Sequence, residues 1–194
     1  MTIESLPVLA ILGGTVDFGT GLARRWAQAG YQVIIGSRTL DKAEAAVADL
    51  REVMAERGVT AISVRAMENL AAAEAATIVT LTVPFSHQAA TLELVKPALQ
   101  GKILIDVTVP LVPPKVARVQ LPAQGSAGQI AQELLGEGVD VVSAFQNVAA
   151  VHLQEGHGLS CDVLVAGNKK AARDEVIKLV EAAGMRGLHA GMIN

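Results

Sequence analysis

Short apolar runs alternate with stretches in which apolar residues recur every three or four positions. "PVLAILG" (Pro7–Gly13) reads as a first strand. Leu22, Ala23 and Trp26 then fall at helical spacing, and Gly30 stands where a helix would end. "YQVIIG" is a second strand. Ala43, Ala46, Val47, Leu50 and Met54 form a helical stripe ending at Gly58, with Asp41 and Glu44 read as its capping box. "AISVRA", "ATIVTLTVP", "KILIDVTVP", "VDVVSAF" and "DVLVAG" supply strands three to seven. A helix carrying Val176, Leu179, Val180 and Ala183 follows, and "GLHAG" closes the series as a short strand.

This alternation predicts an α/β fold, a Rossmann-type doubly wound, mostly parallel sheet with helices on both faces. Hydrophobic residues make up 51% of the chain and charged residues 18%, which suits strands buried on both faces. With 194 residues, no linker and no repeat, 1–194 is read as a single domain. Ligands of such sheets sit beyond the C-terminal strand ends, near the reversal of strand order. "TVP" occurs at Thr82–Pro84 and again at Thr108–Pro110, each time after a strand, which places both on that edge. The proline-rich "LVPPKVARVQLPAQGSAG" is long for a connection. It reads equally well as a lid, a substrate-facing loop or a plain surface loop.

Charge and composition exclude several classes. A net charge of −3 and 3% aromatics argue against nucleic acid and against an anionic membrane as partners. No apolar run reaches the roughly 18 residues of a membrane span, and "MTIESLPVLA" lacks the basic start of a secretory signal. Cys161 is the single cysteine, which suits a reducing cytoplasm, and it reads as an inert buried thiol. His152 and His157 have no ligand partner at metal-binding spacing, and His189 supports no role, so no metal is expected.

"GGTVDFG" follows a strand and opens a helix, the context of a dinucleotide-binding turn. Phosphates bind there on free N–H groups and the positive end of the helix dipole. Gly14 would permit the tight turn and Gly19 the close packing of helix and sheet. Val16 occupies the place of the middle glycine, and Asp17 adds a negative charge. If Val16 needed a positive φ, it would carry strain of roughly 1–2 kcal/mol.

"IIGSRTLDK" ends the second strand differently from NAD-selective proteins, which place Asp or Glu there. Ser37 and Arg38, with Lys42 one turn later, suit a 2′-phosphate. Taken alone, Arg38 and Lys42 are ordinary solvated charges; beside the glycine turn they favour NADP.

With "ILGGT", "GLA", "GSR", Lys42, "TVP" and "SAF" in this order, nearly the whole chain resembles the NADPH-dependent coenzyme F420 reductases. The resemblance implies hydride exchange between NADP(H) and a deazaflavin, coenzyme F420. It implies that Gly14, Thr15, Val16, Asp17 and Phe18 border the pyrophosphate, and that Ser37, Arg38 and Lys42 hold the 2′-phosphate. Thr82, Val83 and His87 would lie along the ribose and nicotinamide. Pro84, Val109 and the "AFQN" turn, with Ala144, Gln146 and Asn147, would frame the place where the two rings meet. Members of that family usually read GGTG where Val16 stands. They also continue into a further helix at the deazaflavin side and subunit contact, which this chain is expected to lack; a homodimer is a further expectation.

Hydride transfer requires two rings held close and dry, not an acid–base apparatus, so no catalytic side chain is assigned. Two alternatives stand beside the deazaflavin reading. One is an NADPH-dependent reductase of another acceptor. The other is a non-catalytic or weakened NADP(H)-binding protein of the same fold.

Overall fold

The computed structural model describes residues 6–111, 120–155 and 158–193. Among them, β1 (Leu9–Leu12), β2 (Gln32–Ser37), β3 (Ser63–Glu68), β4 (Ile78–Leu81), β5 (Ile103–Asp106), β6 (Asp140–Ser143), β7 (Asp162–Gly167) and β8 (Arg186–Gly191) form an eight-stranded sheet. Its order is β3-β2-β1-β4-β5-β6-β7-β8. The pairings are parallel except for β6 with β7, so the mostly parallel sheet expected from the sequence is found.

The helices are α1 (Asp17–Gln28), α2 (Leu40–Glu56), α3 (Asn69–Ala75), α4 (Gln88–Leu99), α5 (Ala127–Leu135), α6 (Ala150–Gln154) and α7 (Lys170–Ala182). Side chains alternate across a strand, and β1 shows the result. Leu9 and Ile11 enter one core with α1, α2 and α7; Ala10 and Leu12 enter another with α3, α4 and α5. All four are buried, which is why β1 carries no polar residue.

Trp26 of α1 anchors the first core. It is fully buried, stands edge-on to Phe145 at 6.2 Å, and donates its ring N–H to the Leu179 carbonyl at 2.8 Å. Its neighbour Arg25 donates to the carbonyls of His152, Leu153, Glu155 and Ala183. These carbonyls close α6 and α7, where a cation complements the helix dipole. Arg25 thereby fixes α6 and the end of α7 against α1.

Two local expectations change. The stripe Ala43, Ala46, Val47, Leu50 and Met54 is buried as expected, but Asp41 and Glu44 do not form a capping box. Thr39 is the N-cap residue, extended at φ −134, and its hydroxyl bonds the Asp41 carboxylate and holds that carboxyl below its ordinary range. Cys161 is half-buried rather than buried, with its sulfur 3.5 Å from Asn147 Nδ2. The middle of the proline-rich connection, 112–119, and His157 lie outside the described residues. After that connection Ser126 caps α5 by accepting from the Gln129 N–H at 3.0 Å.

The chain builds β1, β2 and β3 outward in one direction and then returns to place β4 on the other side of β1. The reversal opens a cleft at the C-terminal ends of β1 and β4.

Candidate functional site

The turn leaving β1 is set by Gly13 rather than Gly14. Gly13 has φ +69, and a Cβ there would stand 2.5 Å from Val83 Cγ1. Gly14 serves close packing instead. Its N–H donates to the Gly36 carbonyl at 3.0 Å, and a Cβ on Gly19 would fall 2.6 Å from Gly14 Cα. Gly19 thus brings the first turn of α1 onto the glycine turn itself.

Val16 is the N-cap of α1 at φ −101 and ψ 162, extended backbone open to any residue. The strain that a positive φ would have imposed is absent. Its side chain is 51% exposed, and no side chain caps the helix, so the first N–H groups of α1 are left for an anion.

Between the glycine turn and the ends of β2 and β4 lies a groove of about 330 Å³. Gly13, Thr15 and Val16 form one wall, and Ser37, Arg38 and Lys42 form the second. Thr82, Val83, Pro84 and His87 form the third, from β4 through the short turn Phe85–His87 into α4. Thr82 fixes that wall: its N–H and its hydroxyl both donate to the Leu12 carbonyl, at 3.0 and 2.9 Å. Arg38 and Lys42 are exposed, and neither enters an ion pair among the described residues. Both cations are therefore available to a ligand.

Asn69 is a lining residue that sequence reasoning missed. It opens α3, is buried, and accepts from the Gly13 N–H at 3.3 Å. A Cβ on Gly36 would lie 2.9 Å from its Oδ1. One amide thus joins the turn after β1 to the end of β2. The only local signal was a polar residue between β3 and an alanine-rich helix.

The remaining expected residues lie elsewhere. Asp17 lines a separate cavity of about 440 Å³ between α1 and α2, which shares Thr15 and Lys42 with the groove. Phe18 packs on the first core. A third hollow, of about 650 Å³, holds residues preceding β1, β4 and β5 at the opposite end of the sheet. The smaller groove has the position that the strand-order reversal requires. Val109 lies in the second "TVP" segment, beside the edge but not in the groove wall. Ala144 is fully buried, and Phe145 after it holds φ +72. Gln146 donates to the Asp106 carbonyl and the Ser143 hydroxyl, both at 2.8 Å. Asn147 donates to the Asp162 carbonyl at 2.8 Å. These amides shape the 144–147 turn.

Asp106, at the end of β5, is fully buried. Burial pushes its carboxyl up to about 6, against bonds from the Thr108 N–H, the Thr108 hydroxyl and Gln88. His152 pairs with Glu155 at 3.5 Å and His189 with Asp174 at 3.1 Å. Among the described residues no group of His, Cys, Asp and Glu could hold a metal ion.

The family model described as NADP oxidoreductase, coenzyme F420-dependent, matches residues 8–110. The F420-dependent NADP reductase of Methanocaldococcus jannaschii is 38% identical over 188 residues, covering 94% of this chain and 83% of that protein. The reductase of the same name from Methanothermobacter marburgensis is 41% identical over 189 residues, with 94% and 83% coverage. The crystal structure of a putative F420-dependent NADP-reductase from Arthrobacter sp. FB24 superposes with a TM-score of 0.80 at 24% identity, over 97% of this chain and 86% of that one. The glycine turn, the Ser37–Arg38–Lys42 wall and the matches in sequence agree: the chain belongs to the coenzyme F420-dependent NADP oxidoreductase family.

Proposed function

We propose that this protein is an oxidoreductase that moves a hydride between NADP(H) and the deazaflavin coenzyme F420. One observation carries the reading. Ser37, Arg38 and Lys42 share a groove with the uncapped start of α1 on one side and the Thr82–His87 wall on the other.

The residues present fit the dinucleotide. The free N–H groups at the start of α1 take the pyrophosphate, beside Thr15 and Val16. Ser37 donates its hydroxyl to the 2′-phosphate, and Arg38 and Lys42 neutralise it. Val83 and Pro84 give an apolar wall that excludes water, and His87 is placed to bond a ribose or amide at the far end. When bound, the nicotinamide supplies the hydride chemistry. The protein's part is to hold two rings in contact and aligned.

Titration calorimetry with NADPH, and with NADH as control, tests the reading. Micromolar binding of NADPH with NADH at least tenfold weaker is expected, because a charge-assisted bond to phosphate is worth about 1.5–3 kcal/mol. Equal affinity for both refutes the 2′-phosphate assignment. Oxidation of NADPH by F420 then separates the deazaflavin from other acceptors.

A cytoplasmic location and a homodimer belong to the same proposal. The single cysteine supports the first. Leu164, Leu188 and Met192, exposed at the β7–β8 end of the sheet, support the second. Among the described residues no helix is long and apolar enough to cross a membrane.

A further inference from the structure

A single buried carboxylate joins the segments that surround the edge of the groove. Asp106 Oδ2 accepts from Gln88 Nε2 at 2.7 Å, and Oδ1 accepts from the Thr108 N–H at 3.0 Å. The same Gln88 nitrogen lies 3.0 Å from Thr108 Oγ1 and 3.0 Å from the Ala127 carbonyl that opens α5. The main-chain carbonyl of Asp106 accepts from Gln146 Nε2 at 2.8 Å and from the Ala144 N–H at 3.3 Å. Gln88 is the first residue of α4 and follows His87 of the groove wall. The start of α4, the second "TVP" segment and the 144–147 turn therefore meet at one residue.

No ion pair reaches this carboxylate among the described residues. The titratable groups on the elements around it turn elsewhere. Lys96 of α4 donates to the Leu134 carbonyl, Lys102 before β5 to those of Ala73 and Glu74, and Asp140 of β6 pairs with Lys169. Glu93 and Glu133 are exposed, and His87 lines the groove. Burying a carboxylate without a counter-ion is unfavourable. What offsets that cost here is the set of hydrogen bonds from Gln88 and Thr108.

We propose that Asp106 is a positioning residue for hydride transfer: through Gln88 and Thr108 it sets the separation of the start of α4, which follows His87 of the groove wall, from the second "TVP" segment, and with it the gap in which nicotinamide and acceptor meet. The proposal rests on the assignment of the groove to NADP(H). It requires the ionised carboxylate. Both oxygens face N–H donors, and a proton on either would oppose one of them. Burial lifts the carboxyl to about 6, so the arrangement loosens within an accessible pH range.

The test compares wild type, Asp106→Asn and Thr108→Val. Single-turnover hydride transfer from NADPH to F420 is followed from pH 5 to 8, and NADPH affinity is measured by calorimetry. Wild type is expected to lose transfer rate below about pH 6. Asp106→Asn is expected to transfer about tenfold more slowly at pH 7.5, with NADPH affinity within about threefold of wild type and without the acid fall, since misplacement of reacting rings is felt in rate before binding. Thr108→Val, which keeps the backbone bond and loses the hydroxyl, is expected to move the acid fall to higher pH. The amide resonances of Thr108 and the Gln88 side chain, recorded without ligand, are expected to titrate with the same midpoint.

A pH-independent wild-type rate overturns the proposal. So does an amide titration absent near pH 6, or an Asp106→Asn protein slowed only in proportion to its unfolded fraction. Failure of the wild type to bind NADPH sinks the functional assignment itself, and is seen before any variant is made. Normal binding with variants indistinguishable from wild type sinks the role of Asp106 alone.

Discussion

Raising the pH from 5 to 8 ionises Asp106 inside the folded protein, and the structure sets what this does to stability. The side chain is fully buried, with its carboxyl lifted from 3.8 to about 6. The folded pKa is above the unfolded one, so the folded state holds this proton more tightly. Its contribution is fully present below 3.8 and is lost as the pH rises through about 6. At roughly 1.4 kcal/mol per pH unit, the whole contribution is ~3 kcal/mol. The linkage relation places about 1.4 kcal/mol of it between pH 5 and pH 8. Urea denaturation of wild type and Asp106→Asn at pH 5, 6, 7 and 8 measures it, because other titrating groups cancel in the difference. With a slope of about 2–3 kcal/mol per molar urea for a chain of this size, the wild-type midpoint should gain about 0.5 M on the variant's between pH 8 and pH 5. Parallel midpoints across that range would refute the reasoning, and with it the claim that desolvation dominates this carboxyl.

Three further outcomes are expected. Gly19→Ala should lower NADPH affinity at least tenfold and destabilise the chain by about 1–3 kcal/mol, since the new Cβ meets Gly14 Cα at 2.6 Å and the turn must move; calorimetry and thermal melts read the two effects. Val16→Gly should change NADPH affinity less than about threefold, because φ −101 is already open to valine; a large gain would restore the weakened-binder reading. Trp26→Ala should cost about 3–5 kcal/mol in urea denaturation, through the cavity beside Phe145 and the lost donor to Leu179.

Much of the fold was legible because its signals are local. The alternation of strands and helices follows from apolar spacing, and each strand read from the chain recurs within a few residues of its expected bounds. Ser37, Arg38 and Lys42 were visible for the same reason: they stand at a fixed distance from a glycine turn and at the end of a strand. Cap geometry was less legible. Asp41 and Glu44 have the spacing of a capping box, but the extended backbone falls at Thr39 two residues earlier. The role of Gly14 was misread because adjacent glycines are equivalent in sequence; only the backbone assigns the positive φ to Gly13.

The order of apolar and polar residues determined the class of fold, the edge on which its groove opens and the two cations that line that groove. Tertiary structure decided which distant groups complete that edge. Asn69 reaches Gly13 across 56 positions, Gln146 reaches Asp106 across 40, and Arg25 ties α1 to a carbonyl 158 residues away. Periodicity and turn chemistry act within a few residues and leave their mark on the chain. A buried hydrogen bond between remote segments leaves none, because its partners are chosen by packing of the sheet and its helices, and a polar residue destined for such a bond looks in sequence like one destined for water.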